Sequence, residues 1–150
     1  MHKRAEIKSK VVEMLQGSSA FSGNVYKSRY LPINKSDFPA ASVYCPEDSS
    51  EIAASGEHYN RSAKVAIMIY CKGYDASEAG DDSGQRDIDS ELDDLTSSVE
   101  EIFFSPWQTL EGTVYRMHLI NTRYMVDTKS DDIIGVATME FNAEYKDSLL

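Results

Sequence analysis

Hydrophobic residues recur along this chain in two spacings, one typical of helices and one typical of strands. Apolar residues from Ile7 to Leu15 lie three or four positions apart, which predicts an amphipathic helix over residues 3–16 that ends at Gly17. A longer apolar stripe predicts a second helix over residues 87–104. That stripe consists of Ile88, Leu92, Leu95, Val99, Ile102 and Phe103.

Five further segments alternate apolar and polar positions or are rich in β-branched and aromatic residues, which predicts strands. They are residues 24–31, 40–45, 61–72, 113–127 and 133–145. Residues 61–72 are apolar on both alternating faces, so we expect a central strand covered on both sides. Pro39 has no backbone donor for a sheet, so it should begin the strand that follows or lie at a sheet edge.

The order of these elements is α-β-β-β-α-β-β, and two polar segments, residues 46–60 and 73–86, are expected to be long loops. The pattern predicts a single α+β domain over residues 1–150. Its sheet would be mixed or antiparallel with about five strands, and both main helices would pack on it. A chain of 150 residues can bury enough surface to fold without a disulfide or a metal.

The charge balance excludes several classes of partner. Twenty-five acids against fifteen Lys and Arg give a net charge of −10, which disfavours a nucleic-acid reader and binding to an anionic membrane. No apolar run approaches the ~20 residues that span a bilayer, and the N-terminus lacks the apolar stretch of a signal peptide.

No motif with catalytic or metal-binding spacing is present, so we predict no catalytic residue, no metal ligand and no cofactor. The histidines (His2, His58 and His118) are far apart, and Cys45 and Cys71 are interpreted as small buried thiols. The nine acids between residues 75 and 94 fit neither register of a calcium-binding EF-hand loop. Trp107 is interpreted as part of the core or a cap on it.

Three segments resemble the lambda-type minor tail protein U family of phages, the tail terminators. Residues 37–44 (DFPAASVY) are similar to the family's entry into a strand, and residues 89–93 (DSELD) to its helix start. Residues 136–141 (VATMEF) are similar to its last strand. Element order and length match over nearly the whole chain, which is longer chiefly in the loops before residues 60 and 86.

The resemblance implies a non-enzymatic virion protein that forms a ring, expected to be a hexamer. Such a ring caps the finished tail tube, stops further polymerisation of the tube protein and presents a surface to the head completion or connector protein. DNA passes through the lumen without being read. The protein would assemble in the bacterial host cytoplasm and remain at the head-proximal end of the tail.

Two groups of acids are candidate contact residues. Asp89, Glu91 and Asp93 begin the second helix, and we expect them near the subunit boundary of the ring. Like charges brought together there would oppose assembly until salt screens them or a divalent cation such as magnesium bridges them. The candidate contacts to the tube or connector lie in the two expected loops: Glu51, Glu57, Asp75, Asp81 and Asp82.

Other functions also fit the residues. A different head-tail completion protein would bind the portal rather than the tube. A small metal-dependent hydrolase using the acidic cluster would hold a metal within one subunit, and a cellular adaptor domain would be a monomer with a peptide partner.

Overall fold

The computed structural model describes residues 2–21, 23–27, 38–52, 56, 58–73, 87–104, 108–127 and 133–148. It contains two helices, α1 (Lys3–Gln16) and α2 (Ile88–Phe103). Five strands accompany them: β1 (Val25–Tyr26), β2 (Ala40–Ile52), β3 (His58–Gly73), β4 (Arg116–Asp127) and β5 (Ile133–Ser148). The predicted α+β class and the order α-β-β-β-α-β-β are confirmed.

The strands form one mixed sheet in the order β1-β2-β3-β5-β4. Among the strand pairs of the described residues, the short β1–β2 pair is parallel and the other three are antiparallel. The strand predicted to be central, β3, is central. Pro39 immediately precedes β2, as its missing backbone donor requires.

Both helices pack on the same face of this sheet. Helix α1 contacts β1 and β2, while α2 contacts β3 and β5. The alternating residues of β3 and β5 that face the helices are buried, and so are the apolar stripes of both helices. A single core cluster joins residues of both helices with residues of β1, β2, β3, β4 and β5. The two helices therefore cover different parts of one sheet face and leave most of β4 uncovered, while Met117 at its start belongs to the core.

Gly135 on β5 lets α2 approach the sheet closely. A Cβ atom at this position would lie 2.8 Å from Cγ1 of Ile88, 2.9 Å from Cδ1 of Leu92 and 3.2 Å from Sγ of Cys71. Because these distances are shorter than van der Waals contact, a side chain here would force Ile88 and Leu92 to shift and would disturb the packing of α2 on the sheet.

The loop expected over residues 46–60 is wrong for most of its length. Strand β2 continues to Ile52 and β3 already begins at His58, and the paired register runs from Glu47↔Lys64 to Ile52↔Tyr59. These residues are polar, so their sequence resembles a loop. They are strands because β5 extends beside them to Ser148 and its backbone supplies the hydrogen-bond partners of β3.

Three other expectations need correction. The predicted strand 24–31 is described as a strand only at Val25–Tyr26, and residues 28–31 lie outside the described part. Strand β4 begins at Arg116 rather than residue 113, because the preceding residues form a turn with positive φ at Leu110 and Glu111. Strand β3 carries helices on one face only, at least within the described residues.

Candidate assembly surface

Exposed apolar side chains concentrate on β4, the strand at one edge of the sheet. Large hydrophobic residues of this strand are between 36% and 60% exposed: Leu119, Ile120, Tyr124, Met125 and Val126. Leu119 and Tyr124 pair with Phe141 and Ala137 of β5, whose side chains face the helices. Contiguous exposed apolar side chains are unusual on a monomer and commonly mark a protein-protein interface, so this edge is a candidate interface.

The outer side of β4 is unpaired over most of its length. Gln108 bridges Met117 at the start of the strand, and its backbone oxygen accepts from the Met117 amide at 2.7 Å. From His118 onward, no strand among the described residues pairs with this side. An unpaired strand with apolar side chains is a ready template for another chain.

A row of acids on α2 lies beside this edge. Asp89, Asp93, Thr96 and Glu100 follow one another at helical spacing, so they share one side of α2. The hydroxyl oxygens of Thr96 and Tyr124 are 3.4 Å apart, which shows that this side of α2 faces β4. We call β4 from His118 onward, together with Asp89, Asp93 and Glu100, the acidic side.

The structure separates the three acids that the sequence grouped together. Asp89 and Asp93 belong to the acidic side and are exposed. Glu91 is half-buried on the other flank of α2, close to the thiol of Cys71 on β3. Burial in the core, and secondarily the Glu91 carboxylate, raise the pKa of Cys71 to about 11. This thiol is therefore protonated at neutral pH.

The three helix acids of the acidic side are not neutralised within the described part of the chain, whereas Arg123 on β4 pairs with Glu140. Helix α2 contains six acidic residues and no basic residue. Among the described residues, Asp89, Asp93 and Glu100 make no ion pair. An opposite charge from outside the subunit would therefore stabilise this surface.

Basic residues gather at the opposite edge of the sheet. The guanidinium of Arg4 donates to the backbone oxygen of Cys45 at 2.8 Å, and the ammonium of Lys27 donates to the Ser9 hydroxyl at 3.1 Å. Burial raises the pKa of Cys45, and the positive charges of Arg4 and Lys8 partly oppose that rise, which places Lys8 near β2 as well. We call Arg4, Lys8 and Lys27 the basic side.

Beyond the helices, β2, β3 and β5 continue as a polar three-stranded extension, residues 47–52, 58–62 and 144–148, which we call the arm. A polar cluster holds its base. The Tyr145 hydroxyl donates to the Asp48 carboxylate at 2.9 Å, and Arg61 donates to the same carboxylate at 3.2 Å. The Arg61 guanidinium also lies 5.7 Å from the Tyr145 ring centroid. These contacts join all three strands, so the arm is braced rather than loose.

The predicted contact residues of the two loops are only partly accounted for. Glu51 lies on the arm, in β2, opposite Asn60 and exposed to solvent. Glu57, Asp75, Asp81 and Asp82 lie outside the described residues. Sequence reasoning missed the acidic side's Glu100 and the whole exposed edge of β4, although the spacing 89–93–96–100 was available as a signal.

The residues considered for catalysis are scattered in the structure. His2 caps α1 by accepting from the Arg4 amide, His118 is exposed on β4, and both cysteines are buried and free. Within the described ranges, no three histidine, cysteine or acidic side chains come close enough to share a metal ion. In the same ranges, neither helix has the length and apolar content needed to cross a membrane.

Comparisons with known proteins show a likeness in fold. No protein-family model matches this chain, and no curated protein matches it. Among solved structures, a chain of the virion of a native gene transfer agent particle has a similar fold, with a TM-score of 0.60. The alignment covers 97% of this chain and 99% of that chain, at 11% identity. The likeness therefore lies in the fold and extends over almost the whole of both chains.

Proposed function

We propose that this protein is a virion structural protein of the tail terminator type, without catalytic activity. The observation that carries the proposal is the fold likeness over 97% of this chain to a chain of a virion. The likeness extends over almost all of both chains. The resemblance of residues 37–44, 89–93 and 136–141 to tail terminators supports the narrower role.

The two edges of the sheet support a ring. A subunit that binds its neighbour through two different surfaces forms a closed ring when the rotation between neighbours allows it. The acidic side and the basic side are two such surfaces, at opposite edges of the sheet. We propose a hexamer, because that is what the resemblance implies.

Termination follows from the asymmetry of such a ring. All side-to-side contacts are used once the ring has closed, so only its two faces remain available. One face would bind the last layer of tube protein, and the other would bind the head completion or connector protein. Because the second face need not imitate tube protein, further tube subunits cannot add.

The net charge of −10 is compatible with a ring whose lumen lets DNA pass. A lumen that carries part of this negative charge repels the phosphate backbone, so DNA slides through without being held or read. The arm extends beyond the helical layer and is braced, which makes it a suitable contact to the tube. In this account the protein assembles in the host cytoplasm and stays at the head-proximal end of the tail.

The test is a tube-growth assay with the purified tube protein of the same virion. Tubes polymerise with and without this chain, and their lengths and ends are measured by negative-stain electron microscopy. We expect added chain to halt elongation and to place a ring on one end only. Binding to isolated portal with no effect on tube growth would instead identify a different completion protein.

A further inference from the structure

The two helices of this protein carry opposite charge. Helix α1 contains four basic and two acidic residues, whereas α2 contains six acidic residues and none that is basic. Both helices lie on the same face of the sheet, α1 over β1 and β2 and α2 over β3 and β5. The sheet order β1-β2-β3-β5-β4 therefore places opposite charges at opposite edges of one layer.

We propose that the acidic side of one subunit docks against the basic side of a second copy of this chain. In this head-to-tail contact, the α2 row of Asp89, Asp93 and Glu100 faces Arg4, Lys8 and Lys27 of the neighbouring copy. The exposed apolar residues of β4 are covered in the same contact. This inference rests on the proposed function, because it names the surfaces through which the ring closes.

Charge complementarity selects the second copy as the occupant of this edge. Asp89, Asp93 and Glu100 make no ion pair among the described residues, and the same polypeptide presents three basic residues, Arg4, Lys8 and Lys27, at its other edge. A two-fold dimer through β4 would bring acidic row against acidic row, and such juxtaposition of like charges opposes association. A head-to-tail contact avoids this repulsion, because each interface of the closed ring then joins an acidic side to a basic side.

The area of this edge is in the range of a specific interface. The ten residues of β4 from His118 onward at ~3.4 Å per residue give a strand edge of roughly 34 Å. The sixteen residues of α2 at ~1.5 Å per residue give roughly 24 Å. With each layer ~10 Å thick, the two layers together present roughly 600 Å² per partner, at the lower end of what a stable specific interface buries on each side.

The experiment reverses the charge on each side separately. The acidic-side variant is Asp93→Lys/Glu100→Lys, and the basic-side variant is Lys8→Glu/Lys27→Glu. Assembly is measured by light scattering in solution and by ring formation on tube ends. We expect each variant alone to need roughly tenfold or more protein to assemble, because every interface then contains like charges. Glu101→Lys, an exposed acid on the same helix outside the row, is the matched control and should assemble as wild type does.

Mixing the two variants provides the decisive test. The acidic-side variant is basic on both edges, and the basic-side variant is acidic on both edges, so neither closes with itself. An equal mixture should restore rings in which the two variants alternate, with an even number of subunits. A chain carrying all four substitutions should also assemble alone. Either rescue demonstrates that the variants are folded.

Three results would overturn the inference. Unimpaired assembly of both single-side variants would show that the ring closes elsewhere, while wild-type capping would leave the proposed function standing. Loss of assembly in the acidic-side variant alone, together with dissolution of wild-type rings by a magnesium chelator, would assign the acidic row to a metal bridge. If wild type neither assembles nor caps tubes, the terminator role fails together with the inference.

Discussion

Gly135 shows how a missing side chain makes room for a packed helix. A Cβ atom here would lie within 3.0 Å of side-chain atoms of Ile88 and Leu92 of α2 and 3.2 Å from the thiol of Cys71. The packing of the first turns of α2 against β5 therefore depends on the absence of a side chain at this position. Nothing in the alternation of residues 133–145 distinguishes Gly135 from an ordinary weak position in a strand.

Gly135→Ala should destabilise the fold by about 1–3 kcal/mol, because Ile88 and Leu92 must shift to accommodate the methyl group. Urea unfolding monitored by circular dichroism measures the loss. The matched control is Gly17→Ala at the end of α1, where φ is −70° and a Cβ atom would lie 3.4 Å from the Met14 backbone oxygen. That change should stay within about 0.5 kcal/mol of wild type. Equal stability of both variants would mean that α2 does not depend on the close approach.

A buried thiol gives a second residue-scale conclusion. Burial raises the pKa of Cys71 to about 11, with the carboxylate of Glu91 adding to the effect. The thiolate is the reactive form of cysteine, so Cys71 is inert in the folded protein near neutral pH. This agrees with the interpretation of both cysteines as small buried thiols.

At the scale of elements, an ion pair joins the start of β4 to β5. The Arg116 guanidinium holds the Glu144 carboxylate, with one donor-acceptor distance of 3.2 Å, and this contact lowers the pKa of Glu144 below 4.5. A carboxyl group whose pKa is lower in the folded state stabilises the fold above its unfolded pKa. That contribution is lost as the pH falls below 4.5 and through the lowered value.

Glu144→Gln should therefore reduce stability at pH 7 and flatten the decline of stability as the pH falls below about 4.5. Because both side chains are partly exposed, the loss at pH 7 should not exceed about 1 kcal/mol. Urea unfolding across this pH range measures the difference. Glu140→Gln, which removes the exposed pair with Arg123, is the control. A decline parallel to that of wild type would show that the Glu144 pair contributes nothing.

The helices could be predicted from the sequence more accurately than the strands, because their pattern is local. Both helices were predicted within about one residue of their ends, because a 3.6-residue period over fourteen or more residues is unambiguous. The extension of β2 and β3 was missed because residues 47–52 and 58–62 are polar on both faces. Their strand conformation comes from pairing with each other and with β5, a long-range contact that no local pattern contains.

The candidate site was predictable only in part for the same reason. Asp89 and Asp93 could be found as acids at a helix start, but their position beside β4 depends on the sheet order. Sheet order also leaves β4 at an edge, although its sequence contains enough apolar residues for an inner strand. The exposed edge of β4 is therefore a feature of the sheet order, which the local sequence pattern does not contain.

For the whole molecule, the reach of the arm is the feature that we connect with the tube. Replacing residues 53–58 by Asn-Gly would close the hairpin with a two-residue turn, since Ile52 already pairs with Tyr59. We expect this variant to fold and form rings but to lose tube capping, as measured in the tube-growth assay. Glu51→Lys in the full-length arm tests the contribution of charge separately. Full capping by both variants would place the tube contact elsewhere.

The central claim is that many copies of this 16.8 kDa chain close into a ring that ends a tube. The most direct measurement is the mass of the wild-type protein by light scattering, with and without magnesium, followed by negative-stain imaging of the same sample alone and with tube ends. The account predicts closed rings of about six subunits, free or on one end of each tube, as the family resemblance implies. A monomer in every condition that also leaves tube ends bare would contradict it.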